Sequence, residues 1–151
     1  MEIHHETLVF ERDFDVTPER LFQAYADPKE REVWSAPSPE IVIVIDETDV
    51  RTGGREIARC GSEGNLNWTM EVAYHWVTED RQITFTEELW EGDKVLTVAL
   101  ITFDFEKRGA TGTRLKLTDQ ITSFVGKGGV EGHSEGYTKA LANLAASLIP
   151  A

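Results

Sequence analysis

Apolar residues recur along the last stretch of the chain with a helical period. Tyr137, Ala140, Leu141, Leu144, Ala145, Leu148 and Ile149 fall at i, i+3, i+4, i+7, i+8, i+11 and i+12, which is one wide stripe of an α-helix. Lys139, Asn143 and Ser147 take the opposite side. The spacing therefore predicts a half-buried helix over 136–149, starting as early as Val130. Such a stripe needs a surface to cover.

That surface is a sheet. Alternation with period two predicts strands over 7–16, 40–47, 55–60, 66–77, 82–90, 95–105 and 113–121. In the first, Leu8, Phe10, Phe14 and Val16 share a face that Arg12 interrupts. In the fourth, Leu66, Trp68, Met70, Val72, Tyr74 and Trp76 share a face, and His75 points the other way, to solvent. Turns of a few residues link most strands, among them Gly53-Gly54, Glu79-Asp80 and Glu91-Gly92-Asp93, so neighbours pair antiparallel.

Two short helices separate the first two strands. Thr17 can cap, Pro18 suits the first helical position and Glu19 favours the positive helix end. Leu21, Ala24 and Tyr25 form its buried side. Asp27-Pro28 closes it and opens a second helix over 29–34. The order is a strand, two short helices, about six strands and a long helix: an α+β architecture with helices on one face of an antiparallel sheet. No repeat or linker interrupts it, so residues 1–151 read as one domain.

Composition narrows the function classes. Fifteen basic residues against 27 acidic ones leave a formal charge of −12, which disfavours nucleic acid and anionic membranes as partners, because phosphate binding needs a basic patch. No apolar run reaches the roughly 18 residues of a membrane span. The start of the chain lacks the basic and apolar regions of a signal peptide, and the lone Cys60 excludes an internal disulfide framework. The expected location is the cytoplasm.

Four motifs resemble one family. Thr17-Pro18-Glu19-Arg20-Leu21-Phe22, with Asp27-Pro28 and Val33-Trp34, is similar to its first helical pair. Asp49-Val50-Arg51-Thr52-Gly53-Gly54 resembles its D-x-R-x-G-G hairpin, and Gly112-Thr113-Arg114-Leu115 its G-T-x-L strand. Gly132-His133-Ser134-Glu135-Gly136-Tyr137, followed by Leu141, Leu144 and Leu148, resembles its G-H-x-x-G-W signature. The family is the helix-grip (START-like, SRPBCC) superfamily, in the branch named for the activator of the heat-shock protein 90 ATPase. Ser35 and Tyr137 stand where that pattern carries tryptophans. The resemblance implies a curved seven-stranded antiparallel sheet gripping the C-terminal helix, with a pocket between them for lipids, sterols, polyketides or other apolar molecules. Some members are cyclases or dehydratases.

These implications set the candidate residues. Trp34 and Tyr137 match the family's pocket rim and wall. Met70, Val72, Tyr74, Phe85, Phe103 and Leu141 are the apolar candidates beside them, since aromatic side chains with a polar handle suit a mostly apolar site. His133 shares a helical face with Tyr137 and Leu141. It reads either as a cavity acid or base or as a helix-end histidine exposed to water. Glu87 is in phase with Ile83, Phe85 and Leu89, and Asp119 with Leu115 and Leu117. Inward carboxylates are costly unless paired or protonated, and Arg12, in phase with Phe10 and Phe14, is a candidate partner. Strand ends where facing no longer matters are the favoured reading of both.

His4 and His5 sit at an end expected to fray, and the histidines and Cys60 match no metal-ligand spacing, so no metal and no cofactor is expected. Gly126 to Gly132 suggests a hinge or lid, and Gly136 a close approach of helix to sheet. The leading expectation is a binder of a small apolar or amphipathic molecule. The alternatives are a cyclase or dehydratase using His133, Glu87 or Asp119, and a module that stimulates a chaperone ATPase. A homodimer is compatible with the fold, and no sequence feature decides it.

Overall fold

In the computed structural model, residues 2–149 are described. The elements run β1 (His4–Phe14), α1 (Pro18–Ala26), α2 (Pro28–Trp34), β2 (Ile41–Thr48), β3 (Arg55–Ser62), β4 (Asn65–Thr78), β5 (Gln82–Glu91), β6 (Lys94–Arg108), β7 (Gly112–Ser123) and α3 (Lys127–Ser147). All seven strands form one antiparallel sheet in the order β1-β7-β6-β5-β4-β3-β2. The helices cover its inner face. This is the α+β helix-grip arrangement that the motifs imply. No helix among the described residues is long and apolar enough to cross a membrane.

The short helices form where the capping chemistry allows. Thr17 Oγ1 accepts from the Arg20 N–H at 3.2 Å, with Pro18 at the first helical position. Asp27 Oδ1 accepts from the N–H groups of Lys29 at 2.8 Å and Glu30 at 3.2 Å, so one residue ends α1 and caps α2. These helices fill the bend between β1 and β2, the two edge strands. The core lies between α1, α3 and the inner residues of β4 to β7: Phe14, Leu21, Tyr25, Ile83, Ile101, Leu115, Leu117 and Leu144 are all buried.

Four expectations are corrected. His4 and His5 are not frayed: they open β1 opposite Ser123 and Thr122, and His5 Nδ1 lies 3.2 Å from Thr122 Oγ1. Trp76 does not share the inner face of Tyr74. The β4–β5 register shifts between Tyr74 and Trp76, and this bulge inserts one residue and reverses the facing. Val77 turns in opposite Ile83, while Trp76 is 58% exposed. His75 does face solvent, bonded to Thr86 Oγ1 at 2.9 Å. Finally, Ile149 lies past the end of α3 and is 72% exposed rather than part of the buried stripe.

The fourth correction concerns the glycines. No loop occupies 127–132: α3 begins at Lys127, straight after Gly126 with its φ of 73°, so this stretch is the first turns of the helix. The close approach belongs to Gly129, not Gly136. A Cβ on Gly129 would lie 2.2 Å from Ser123 Oγ and 2.9 Å from Thr97 Cγ2, whereas one on Gly136 would meet Pro37 Cβ at an ordinary 3.6 Å. Gly129→Ala is therefore expected to lower stability by about 1–3 kcal/mol through overpacking. Gly136→Ala should be neutral or stabilising by up to about 1 kcal/mol, because alanine loses less backbone entropy in a helix. Denaturant midpoints of the two variants check the contrast.

Candidate functional site

A hollow of about 410 Å³ remains between α3 and the β2–β6 half of the sheet. Ile41, Ile43 and Ile45 of β2, Ala58 and Cys60 of β3, and Trp68 and Met70 of β4 form one side. Phe85 and Leu89 of β5 and Phe103 of β6 form the floor. Trp34 and Pro37 close one end, and α3 forms the roof with Gly128, Gly129, Gly132, His133, Gly136, Tyr137 and Ala140. The glycines leave space that side chains would fill, so the helix that closes the hollow also keeps it open.

Trp34, Met70, Phe85, Phe103, His133 and Tyr137 all line this hollow, and so does Glu87. Val72, Tyr74 and Leu141 do not: they are 5%, 1% and 5% exposed, in the packed core behind it. Asp119 lies one residue deeper than the wall. It is fully buried, and His133 Nδ1 sits 2.7 Å from its Oδ2. On its other side, His133 Nε2 lies 3.2 Å from Thr97 Oγ1. A line of three polar groups thus runs from the sheet floor to the cavity wall. Asp119 fixes the imidazole's orientation, as a carboxylate does whenever it holds one ring nitrogen. The Asp119 Oδ1 atom is buried without a partner.

The second polar cluster is one that sequence reasoning missed. Arg31 of α2 is 5% exposed and Glu56 of β3 is 6% exposed. Arg31 Nη1 donates to Glu56 Oε2 at 3.2 Å and to the Tyr74 hydroxyl at 3.1 Å, and Nη2 donates to Glu56 Oε1. The Tyr74 hydroxyl donates to Glu56 Oε1 at 2.9 Å and lies 3.0 Å from the Tyr25 hydroxyl. The guanidinium stacks 4.4 Å from the Tyr25 ring centroid. Arg31 and Glu56 both reach the hollow. Arg12, the candidate partner of the inward carboxylates, is exposed and lies against Phe14, its guanidinium 5.9 Å from the ring centroid. The alternation of β3 (Glu56, Ala58 and Cys60 in phase) and the short run between Pro28 and Trp34 were the available signals.

Glu87 differs from both clusters because it has no hydrogen-bond partner among the described residues. Only charges at a distance act on its carboxyl, and burial pushes it up to about 7, with Asp119 and Glu56 adding to the rise and His133 and Arg31 opposing it. His133 is lowered by burial, but the hydrogen bond and charge of Asp119, with the charge of Glu87, outweigh this and hold it above the usual histidine range. Burial first, then the charges of Glu87 and Asp119, keep the Tyr137 phenol neutral. Burial and Glu87 push the Cys60 thiol to about 11. Among the described residues no group of three or more His, Cys, Asp and Glu is placed to hold a metal ion.

Comparison with known proteins places this geometry in context. The model of the family described as Activator of Hsp90 ATPase homolog 1-like protein matches residues 15–148. A search of curated proteins found no match. Among solved structures, Mll3558 from Rhizobium loti is 28% identical with a TM-score of 0.83, over 98% of this chain and 100% of that one. A protein from Rhizobium leguminosarum is 24% identical with a TM-score of 0.82, over 96% and 95%. CV1439 from Chromobacterium violaceum is 20% identical with a TM-score of 0.83, over 96% and 98%; these last two share the fold.

Two stability predictions follow from the polar groups. Arg31→Met strands a buried carboxylate and should cost about 3–5 kcal/mol, while the double change with Glu56→Leu should recover most of it; chemical denaturation of the three proteins reads this. Glu87 and His133 both bind protons more tightly when folded. Their stabilisation is complete below the unfolded values and is lost as pH rises, through about 7 for Glu87 and above the usual histidine range for His133. Melting temperature should therefore fall between about pH 5 and pH 8. Glu87→Gln should melt higher than the parent at the upper end and flatten the profile.

Proposed function

The chain belongs to the Activator of Hsp90 ATPase homolog 1-like family, and from that premise we propose that it binds one small apolar or amphipathic molecule between sheet and helix. The observation that carries this reading is the hollow itself. Its volume of about 410 Å³ falls within the range of small-molecule sites, and its wall is mostly aliphatic and aromatic with a few convergent polar groups. A well-packed core does not leave such space: interiors otherwise close to crystal-like density. Trp34 and Tyr137 shape the wall and His133 and Glu87 supply the polar contacts.

A second reading is favoured by a separate observation. His133, fixed by Asp119, and Glu87 are two titratable groups that line one cavity. That pairing suits acid–base chemistry of the cyclase or dehydratase kind, in which one group takes a proton and the other returns it. The chaperone reading rests on the family's description alone and needs a complementary outer surface rather than a cavity.

Native mass spectrometry of the purified protein, followed by denaturation and identification of what is released, tests the binding reading. The expected result is one small molecule per chain. His133→Ala should weaken its retention about ten-fold, and should abolish rather than weaken product formation if turnover occurs. An empty protein whose tryptophan emission is also unmoved by apolar ligands would move the balance to the partner reading.

A further inference from the structure

Of the three carboxylates around the cavity, two are answered by the protein. Glu56 is held by Arg31, Tyr74 and Thr48, and Asp119 by His133. Glu87 is not: it lies half-buried on the inner face of β5 between Phe85 and Leu89, open to the cavity, and among the described residues no side chain hydrogen-bonds to its carboxyl. A carboxylate on an apolar cavity wall without a protein partner carries a desolvation cost that a bound cation would offset. The surroundings also suit one kind of visitor. Tyr25, Trp34, Trp68, Phe85, Phe103 and Tyr137 turn aromatic rings to the same space, and ring faces attract cations. Among the described residues no side chain hydrogen-bonds to the Tyr137 hydroxyl, which can accept one from a bound donor.

We propose that the ligand is an amphipathic organic amine, its ammonium group donating to the Glu87 carboxylate and its apolar body lying among the aromatic rings of the cavity. This rests on the binding reading above and names the chemistry of the occupant. A neutral alcohol is the competing occupant, because a protonated Glu87 can donate to a hydroxyl as readily as an ionised one accepts from an ammonium. A carboxylate ligand is disfavoured by three acidic side chains set against one guanidinium and one imidazole. The amine accounts for the one unanswered charge, and the chain's formal charge of −12 favours the approach of a cation.

Calorimetric titration with three matched probes separates these possibilities: phenylbutylamine, phenylbutanol and phenylbutyrate. At about pH 8, where Glu87 is ionised, the amine should bind roughly ten-fold or more tighter than the alcohol, with the carboxylate weakest. Glu87→Gln should bring amine and alcohol to within about two-fold of each other, chiefly by weakening the amine. A parallel series on the unaltered protein makes the test independent of whether that variant folds. Lowering the pH to about 5.5 protonates Glu87 and should erase the amine's advantage. The groups facing Glu87 are His133 and Tyr137 from α3, Asp119 from β7, Glu56 and Cys60 from β3 and Arg31 from α2. Of these, His133 gains charge over the same interval, which acts in the same direction. Equal binding of amine and alcohol at the higher pH, or tighter binding of alcohol or carboxylate, overturns the proposal and leaves the cavity reading standing. Silence from all three overturns both.

Discussion

A carboxylate at the centre of a sheet's inner face must be met by something, and Asp119 is met by a residue from another layer. The His133 ring reaches it from α3 at 2.7 Å, so one hydrogen bond joins helix and sheet at a depth where water does not compete. That bond demands a particular placement. The first turn of α3 has to come down close to β6 and β7, and it does so where Gly129 has no side chain to strike Ser123 or Thr97. From there the helix runs on to bury Ala140, Leu141 and Leu144 against the core. Its first half stays clear of β2 and β3 and leaves the hollow. Polar tie, glycine contact and cavity are three aspects of one placement.

The two polar clusters divide the cavity wall between them. Arg31 and Glu56 are held by charge, guanidinium stacking and two tyrosine hydroxyls, with Arg31 Nε left buried and unpartnered. The His133 end is simpler, with both ring nitrogens engaged, one by Asp119 and the other by Thr97. Glu87 stands between them and belongs to neither. The physical contrast is between charges that the fold has neutralised and one that it has not.

Much of this was legible in the chain. Period-two alternation located the strands, the 3.6 period the long helix and capping residues the two short ones, and the motifs identified the grip. The phases of Glu87 and Asp119 allowed an inward placement against the favoured reading of strand ends, and Glu87 does line the cavity while Asp119 is buried. What escaped were effects that no local period encodes. The extra residue at His75 reverses the facing of Trp76 and Val77, and nothing in an alternating run marks where it will slip. Arg12 had the right phase for an inward cation, yet it stands on an edge strand, exposed against Phe14. Arg31, in a helix of seven residues too short to show a stripe, was the buried one. Gly136 sits within the recognised motif and Gly129 does not, but the close contact depends on where Ser123 ends β7.

The strand order carries a kinetic meaning. β1 pairs with β7, so His4 lies opposite Ser123 and Phe14 opposite Thr113, partners separated by about two thirds of the chain or more. The β4–β5–β6 meander can zip from its own tight turns, but the first strand waits for the seventh, and α3 follows the seventh. Topologies with such distant partners fold slowly, because loop-closure entropy is spent before the contacts repay it. The hollow is thus the last part of the molecule to acquire walls. During synthesis, β1 and the two short helices emerge long before the surface they cover exists, and the apolar face of Leu8, Phe10 and Phe14 must wait unpaired until the C-terminal third of the chain arrives.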